Sequence, residues 1–266
     1  VADTNYFLGR TALVTGASSG LGVEFARELA ARGSNLVLVA RRRDRMDALA
    51  AELREAHGCE VTVIARDLST YRAGKTLMAD LERRGLSIDT VINNAGFGTY
   101  GPLANEDADR IAEEVALNVS ALVDITRGAL PGMIERGLGT IVNVASTAAF
   151  QPLANFATYA ATKAFVLSFT EAVWGETEHS NVRVLALCPG ATATEFFDVA
   201  GSEAATGPMA PASEVIAEAF SALERGKPSV IHGMGNKLPP FAMRFFSRKT
   251  VIRLARSVMA KNRAAN

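Results

Sequence analysis

Cysteine, histidine and tryptophan are scarce in this 266-residue chain, which holds two, three and one of them. Two cysteines, Cys59 and Cys188, cannot build a disulfide framework, so a reducing compartment is expected. His57, His179 and His232 are scattered and match no metal-ligand spacing; they read as structural, and no metal site is expected. Net charge is also lacking: 28 Lys and Arg balance 28 Asp and Glu, which excludes a generally basic nucleic-acid binder. No apolar run reaches the ~18 residues of a spanning helix. Val1 to Arg10 has no basic region followed by an apolar stretch, so no secretory leader is read there and the cytoplasm is the expected location. Internal repeats and low-complexity linkers are absent.

What is present is a globular composition, 48% hydrophobic and 21% charged. At about 150 residues per domain the length allows one large domain or two small ones. A single α/β domain of this size buries about three quarters of its unfolded surface and needs no metal or disulfide staple. The balanced charge conceals a segregation. All 28 acids lie at or before Glu224, whereas residues 225–266 carry ten Lys and Arg and no acid.

Short β-branched runs alternate with longer amphipathic stretches. The strand-like runs are 11–15, 35–40, 61–65, 90–93, 140–145, 182–187 and 229–232; they are nearly continuous in apolar residues, as strands buried on both faces should be. Helical stretches over 20–32, 43–57, 71–84, 109–136, 157–178 and 212–225 separate them, several stopped by Gly33, Gly58, Gly85 or Gly137. This alternation predicts one α/β domain, a Rossmann-like doubly wound parallel sheet with helices on both faces, over residues 1–235. Residues 191–211, broken by Gly201, Gly207, Pro208 and Pro211, read as a lid or binding loop.

The first strand runs into Thr15-Gly16-Ala17-Ser18-Ser19-Gly20-Leu21-Gly22 and then a helix. Glycines let the backbone turn tightly against a pyrophosphate, and the helix N-terminus offers free N–H groups and a positive dipole end. Strand, turn and helix together predict dinucleotide binding. An acid closing the second strand would hold the ribose 2′-hydroxyl of NAD; position 40 is Ala, followed by Arg41 and Arg42. Guanidinium groups there suit a 2′-phosphate, so NADP(H) is favoured over NAD(H).

Tyr159 and Lys163 stand four apart, one turn along one helical face. An unperturbed Tyr titrates near ~10 and is a poor base at neutral pH. A neighbouring ammonium and an oxidised nicotinamide both favour phenolate, and a shift of about 3 units needs only about 4 kcal/mol. An ordinary surface Tyr–Lys pair is the plainer reading of the spacing alone.

With these motifs in order, the chain resembles the short-chain dehydrogenase/reductase family over about residues 8–235. Thr15 to Gly22 match its TGxxxGxG turn, and Asp67-Leu68 resembles the pair whose Asp holds adenine. Asn93-Asn94-Ala95-Gly96 matches the segment after the fourth strand that supports the sheet and lines the cofactor. Asn118 and Ser146 fall where the family's catalytic Asn and Ser lie. Pro189-Gly190, with Thr192 and Thr194, matches the segment contacting the nicotinamide carboxamide. Many NADP-preferring members carry a base where Ser19 stands, so phosphate selection would rest on Arg41, Arg42 and Ser18.

The resemblance implies that Tyr159 exchanges a proton with the substrate oxygen while Ser146 hydrogen-bonds that oxygen. Lys163 would depress the Tyr159 pKa and hold the ribose hydroxyls, and Asn118 would anchor a water behind Lys163. It implies strand order 3-2-1-4-5-6-7, which keeps Cys59 and Cys188 apart. It implies a homodimer or homotetramer through the helices at 109–136 and 157–178, with Trp174, Phe165 and Phe169 packing. Substrate contacts are expected from Phe97, Phe150, Gln151, Phe196 and Phe197, with Tyr100, Pro152 and Met209 nearby. This apolar set suits a lipophilic ketone, whether fatty β-keto, steroid-like or aromatic. Oxidation of the corresponding alcohol and a catalytically silent NADP(H) sensor are the alternatives. The tail, 236–266, has apolar residues at helical spacing between bases. It reads as a basic amphipathic extension packed on or beside the domain, with peripheral contact to an anionic membrane as the second reading.

Overall fold

The computed structural model describes residues 6–201, 209–243 and 245–265. Seven parallel strands form one sheet in the order β3-β2-β1-β4-β5-β6-β7. They are β1 (Thr11–Thr15), β2 (Asn35–Ala40), β3 (Val61–Ala65), β4 (Thr90–Asn93), β5 (Gly139–Val144), β6 (Val182–Cys188) and β7 (Ser229–Ile231). Neighbouring strands are in register along their length; Thr11 to Thr15 of β1 face Asn35 to Val39 of β2 one for one. The chain is thus a doubly wound α/β domain, as its alternation predicts. Cys59 and Cys188 are free thiols.

The two faces of the sheet are covered separately. Ala12, Val14, Leu36, Leu38 and Leu185 point one way, onto Phe25 of α1 (Gly20–Ala31), Met46 of α2 (Arg43–His57) and Phe220 of α8 (Ala212–Glu224). Leu13, Val37, Val39, Val91 and Val184 point the other way. They meet Leu77 of α3 (Ala73–Arg83), Ile125 and Met133 of α5 (Leu122–Glu135) and Val173 of α6 (Ala157–Thr177). Period-two alternation places successive side chains on opposite faces, and both faces are dry.

The helical stretch expected at 109–136 is not uniform. It runs as α4 (Ala108–Val115), a π segment over Ala116–Ala121, and α5. Wide π turns are rare and concentrate at functional sites; this one contains Asn118. The stretch 191–211, expected to be a lid or binding loop, contains α7 (Phe196–Ala200), and its residues 202–208 lie outside the described residues. The tail forms α9 (Met234–Met243) and α10 (Arg248–Ala265). Its cations Arg248, Lys249, Arg253 and Arg256 are exposed, while Val251 and Ala255 are buried.

Candidate active site

Every strand from β1 to β6 delivers a loop to the same edge of the sheet, at the carboxyl ends, where open α/β sheets bind their ligands. A cavity of about 690 Å³ lies there.

The turn after β1 is pinned by its own side chains. The Thr15 hydroxyl donates to the Ile92 carbonyl and accepts from the Asn94 and Ala95 amides, at 3.0 to 3.2 Å. Asn94 donates to the Thr15 and Gly16 carbonyls. A Cβ on Gly16 would stand 2.7 Å from the Asn94 side chain, so only glycine permits this approach. Gly22 does not line the cavity; it packs on the Gly16 backbone and closes the turn. Gly16, Ser18, Ser19, Gly20 and Leu21 do line it. The α1 N-terminus has no side-chain cap and no acid in its first turn, leaving its N–H groups to an anion.

At one end of the cavity stand Arg41, Arg42 and Asp67 with Leu68. Arg42 donates to the Ser18 and Ser19 hydroxyls and pairs with Glu195 at 2.8 Å; Arg45 reaches the same carboxylate. Burial pushes the Asp67 carboxyl up. The hydrogen bonds from Ser69, with Arg41 and Arg110 nearby, outweigh it, and Asp67 sits below its usual value. This cationic end, the uncapped helix and the glycine cradle fit a dinucleotide carrying a 2′-phosphate.

At the other end Ser146, Tyr159 and Lys163 converge with Ala95, Gly96, Pro189, Gly190, Thr192 and Thr194. The Ser146 Oγ accepts from the Ala148 amide, which leaves its hydrogen free to donate. Lys163 is buried and donates from Nζ to the Val144 carbonyl at 2.8 Å. Burial lowers its pKa to about 8. Tyr159 corrects an expectation. Burial raises its phenol above the usual value, against the Ser146 hydrogen bond, so the chain's own groups favour the protonated acid. Desolvation outweighs any help from the ammonium, whose Nζ lies 5.6 Å from the ring centroid.

Asn118 does not line the cavity. Its amide accepts from the Phe97 N–H and donates to the Phe97 carbonyl and the Thr162 hydroxyl, fixing the segment behind Lys163. Of the expected substrate contacts, Phe97, Gln151, Phe196 and Phe197 line the cavity. Phe150 does not. It ends the 3-10 turn Thr147–Phe150 and packs against the cluster containing Leu122, Val166 and Cys188. Tyr100, Pro152 and Met209 are also outside. Sequence reasoning missed Leu153 and Phe156, and Asn236, Met243, Leu254 and Ala255 from α9 and α10. It also missed Glu114, a fully buried acid.

The architecture and the glycine turn define the class: a doubly wound nucleotide-binding domain. The short chain dehydrogenase family model matches residues 10–204, and the chain belongs to that family. It is 34% identical over 199 residues to the very-long-chain 3-oxoacyl-CoA reductase of Bos taurus, covering 73% of this chain and 63% of the relative. The chain thus spans under two thirds of that relative's length. A short-chain dehydrogenase from Sphingobium yanoikuyae, solved in complex with NADPH, superposes with a TM-score of 0.80 at 33% identity, covering 88% of this chain and 93% of that one. A solved 7beta-hydroxysteroid dehydrogenase gives a TM-score of 0.84 at 28% identity, over 96% and 98%.

Proposed function

We propose that the chain is an NADP(H)-dependent oxidoreductase that reduces a lipophilic ketone to a secondary alcohol. One observation carries this reading: a hydroxyl, a phenol and an ammonium, from Ser146, Tyr159 and Lys163, meet in a cavity whose far end holds Arg41 and Arg42. Gly16 to Leu21, Asp67, Leu68, Asn94 to Gly96, Pro189, Gly190, Thr192 and Thr194 would hold the cofactor. Bound there, its nicotinamide supplies the hydride. The NADPH in the Sphingobium neighbour supports the choice of cofactor.

The chain's own residues do the rest. Ser146 donates a hydrogen bond to the carbonyl oxygen and stabilises the charge that develops there. Tyr159, held protonated by burial, gives that oxygen its proton. Lys163 holds the ribose hydroxyls and presents a positive charge beside the phenol. The same phenol gives the proton in reduction and takes it back in oxidation.

Leu153, Phe156, Phe196, Phe197, Met243 and Leu254 give the substrate end an apolar wall. A 3-oxoacyl-CoA and a hydroxysteroid, the compounds in the relatives' names, support a bulky apolar substrate. Pairing of α5 and α6 with a second copy and contact of the basic tail with an anionic membrane complete the proposal. Among the described residues no helix is long and apolar enough to cross a membrane. NADPH oxidation against long-chain β-keto thioesters, a steroid ketone and a small hydrophilic keto acid tests it. Faster turnover of the small acid would overturn the substrate class.

A further inference from the structure

Among the described residues Glu114 is the only fully buried carboxylate. It lies in the last turn of α4, four residues before Asn118. Its Oε2 accepts from the Thr99 amide at 2.9 Å and the Thr99 hydroxyl at 2.6 Å. Its Oε1 is buried with no hydrogen-bond partner among the described residues. Asn118 grips Phe97 by both backbone groups. The two side chains therefore fasten consecutive parts of one strip, 97–99, that leaves β4.

That strip is the wall behind the reacting groups. A Cβ on Gly98 would lie 2.8 Å from the Tyr159 ring, and one on Gly96 would lie 3.4 Å from Lys163 Nζ. Gly98 thus abuts Tyr159 and Phe156, and Gly96, the residue just before the strip, faces Asn118 and Lys163. An acid at this place is more than a tie for Thr99, because a neutral side chain could supply an acceptor without the cost of burying a charge.

We propose that Glu114 is a positioning residue of this site: it holds 97–99 against Tyr159, and its buried negative charge keeps Lys163 an ammonium. The charged and titratable groups facing this pair are few. Lys163 and Tyr159 come from α6 and Cys188 from β6. Arg110 comes from Glu114's own helix, its guanidinium 3.8 Å from the Phe97 ring centroid. Burial outweighs the pull of Thr99, Lys163 and Arg110, so the Glu114 carboxyl sits above its usual value. Burial pushes Lys163 down, and Glu114 acts against that. Opposite charges in a dry interior each favour the other's ionised form.

The inference rests on Lys163 holding the cofactor ribose, and it is tested by NADPH binding without any substrate. Fluorescence titrations from neutral to alkaline pH would compare the wild-type chain with Glu114→Gln, Thr99→Val and Glu114→Asp. Wild-type affinity is expected to fall as pH rises through about 8, the Lys163 value. In Glu114→Gln, which keeps an acceptor for Thr99 and loses the charge, the midpoint moves down by about one pH unit. Thr99→Val removes the hydroxyl tie and leaves the midpoint in place. Coincident midpoints for wild type and Glu114→Gln overturn the proposal, as does an equal shift in Thr99→Val. Should Glu114→Gln not fold, Glu114→Leu also loses the charge and is expected to move the midpoint down, while Glu114→Asp keeps the charge and the wild-type midpoint; an unmoved Glu114→Leu or a shifted Thr99→Val overturns it. No NADPH binding by the wild-type chain removes the functional reading and this inference together, whereas normal binding with coincident midpoints removes this inference alone.

Discussion

Phe156 stacks on Tyr159, with 4.4 Å between ring centroids and 18° between ring planes. Phe196 approaches the same phenol at 5.3 Å. These rings help to bury the phenol, and burial favours its acid form. Tyr159→Phe keeps this packing and loses the hydroxyl. It is expected to bind NADPH like the wild type and to lose about 10²–10⁴-fold in kcat. Single-turnover NADPH oxidation with a reactive ketone measures this, and near-native turnover would remove Tyr159 from its role.

The stack also has a structural side. Phe156 is buried, and Phe156→Ala leaves a cavity against Tyr159 and Tyr100. Deleting a buried Phe costs about 3–5 kcal/mol. Urea unfolding is expected to show a loss of that order, with NADPH affinity changing less than kcat. A stability loss within experimental error would mean the ring is replaceable by its neighbours.

Much of this was legible in the residues, for identifiable reasons. Strands buried on both faces leave unbroken apolar runs, so β1 to β4 match their predicted bounds. Glycine turns and the Tyr159–Lys163 spacing are local, and local geometry is what spacing reports. Contacts made at long range were not legible. Glu114 follows Glu113 in an amphipathic stretch and reads as a solvated acid until Thr99 is seen to fold over it. The π segment leaves no mark on hydrophobic spacing. Phe150 and Phe156 look alike in sequence, yet the 3-10 turn sends Phe150 away from the cavity while Phe156 lines it. The places of Leu254 and Ala255 on the cavity wall depend on where α10 docks.

Arg42 is shared between Ser18, Ser19 and Glu195. A 2′-phosphate needs the same guanidinium. Arg42→Ala is expected to weaken NADPH binding by about 10- to 100-fold, since a hydrogen bond to a charged group contributes about 1.5–3 kcal/mol. NADH binding should not change. Glu195→Gln acts in the opposite direction: it frees Arg42 and Arg45 and tightens NADPH a few-fold, the small size following from an exposed pair worth about 1 kcal/mol or less. Paired dissociation constants for NADPH and NADH check both. Equal losses for the two cofactors in Arg42→Ala would place the 2′-phosphate elsewhere.

Lys163 links the site to stability. Its pKa falls from 10.5 to about 8 on folding. Between these values the unfolded chain binds more protons than the folded one, so stability rises with pH across this window. Below about 8 the cost of burying the ammonium is fully present, on the order of 3 kcal/mol. Cys188, pushed up to about 12 by burial, works in reverse above its ordinary value near 9. Comparison with Lys163→Met removes the part of the Cys188 contribution that does not depend on Lys163. The difference in unfolding free energy between wild type and variant should move in favour of the wild type as pH rises from about 8 to about 10.5. A pH-independent difference would mean that Lys163 keeps its ordinary pKa.

Leu254 is half exposed and also lines the cavity, which places the tail at the cavity's lip. Leu238 on α9, Phe246 in the turn between the helices and Ile252 on α10 are exposed, with Arg248, Lys249 and Arg253 among them. An apolar lip set in cations suits an anionic lipid surface from which an apolar ketone could pass directly into the site. Each cation near such a surface contributes about 1 kcal/mol. Replacing Arg248, Lys249 and Arg253 together by Ser should therefore weaken binding to phosphatidylserine vesicles on the order of a hundredfold and leave turnover of a water-soluble ketone unchanged. Vesicle co-sedimentation with phosphatidylserine and with phosphatidylcholine measures it. Equal sedimentation of variant and wild type would assign the exposed apolar residues to a protein partner instead.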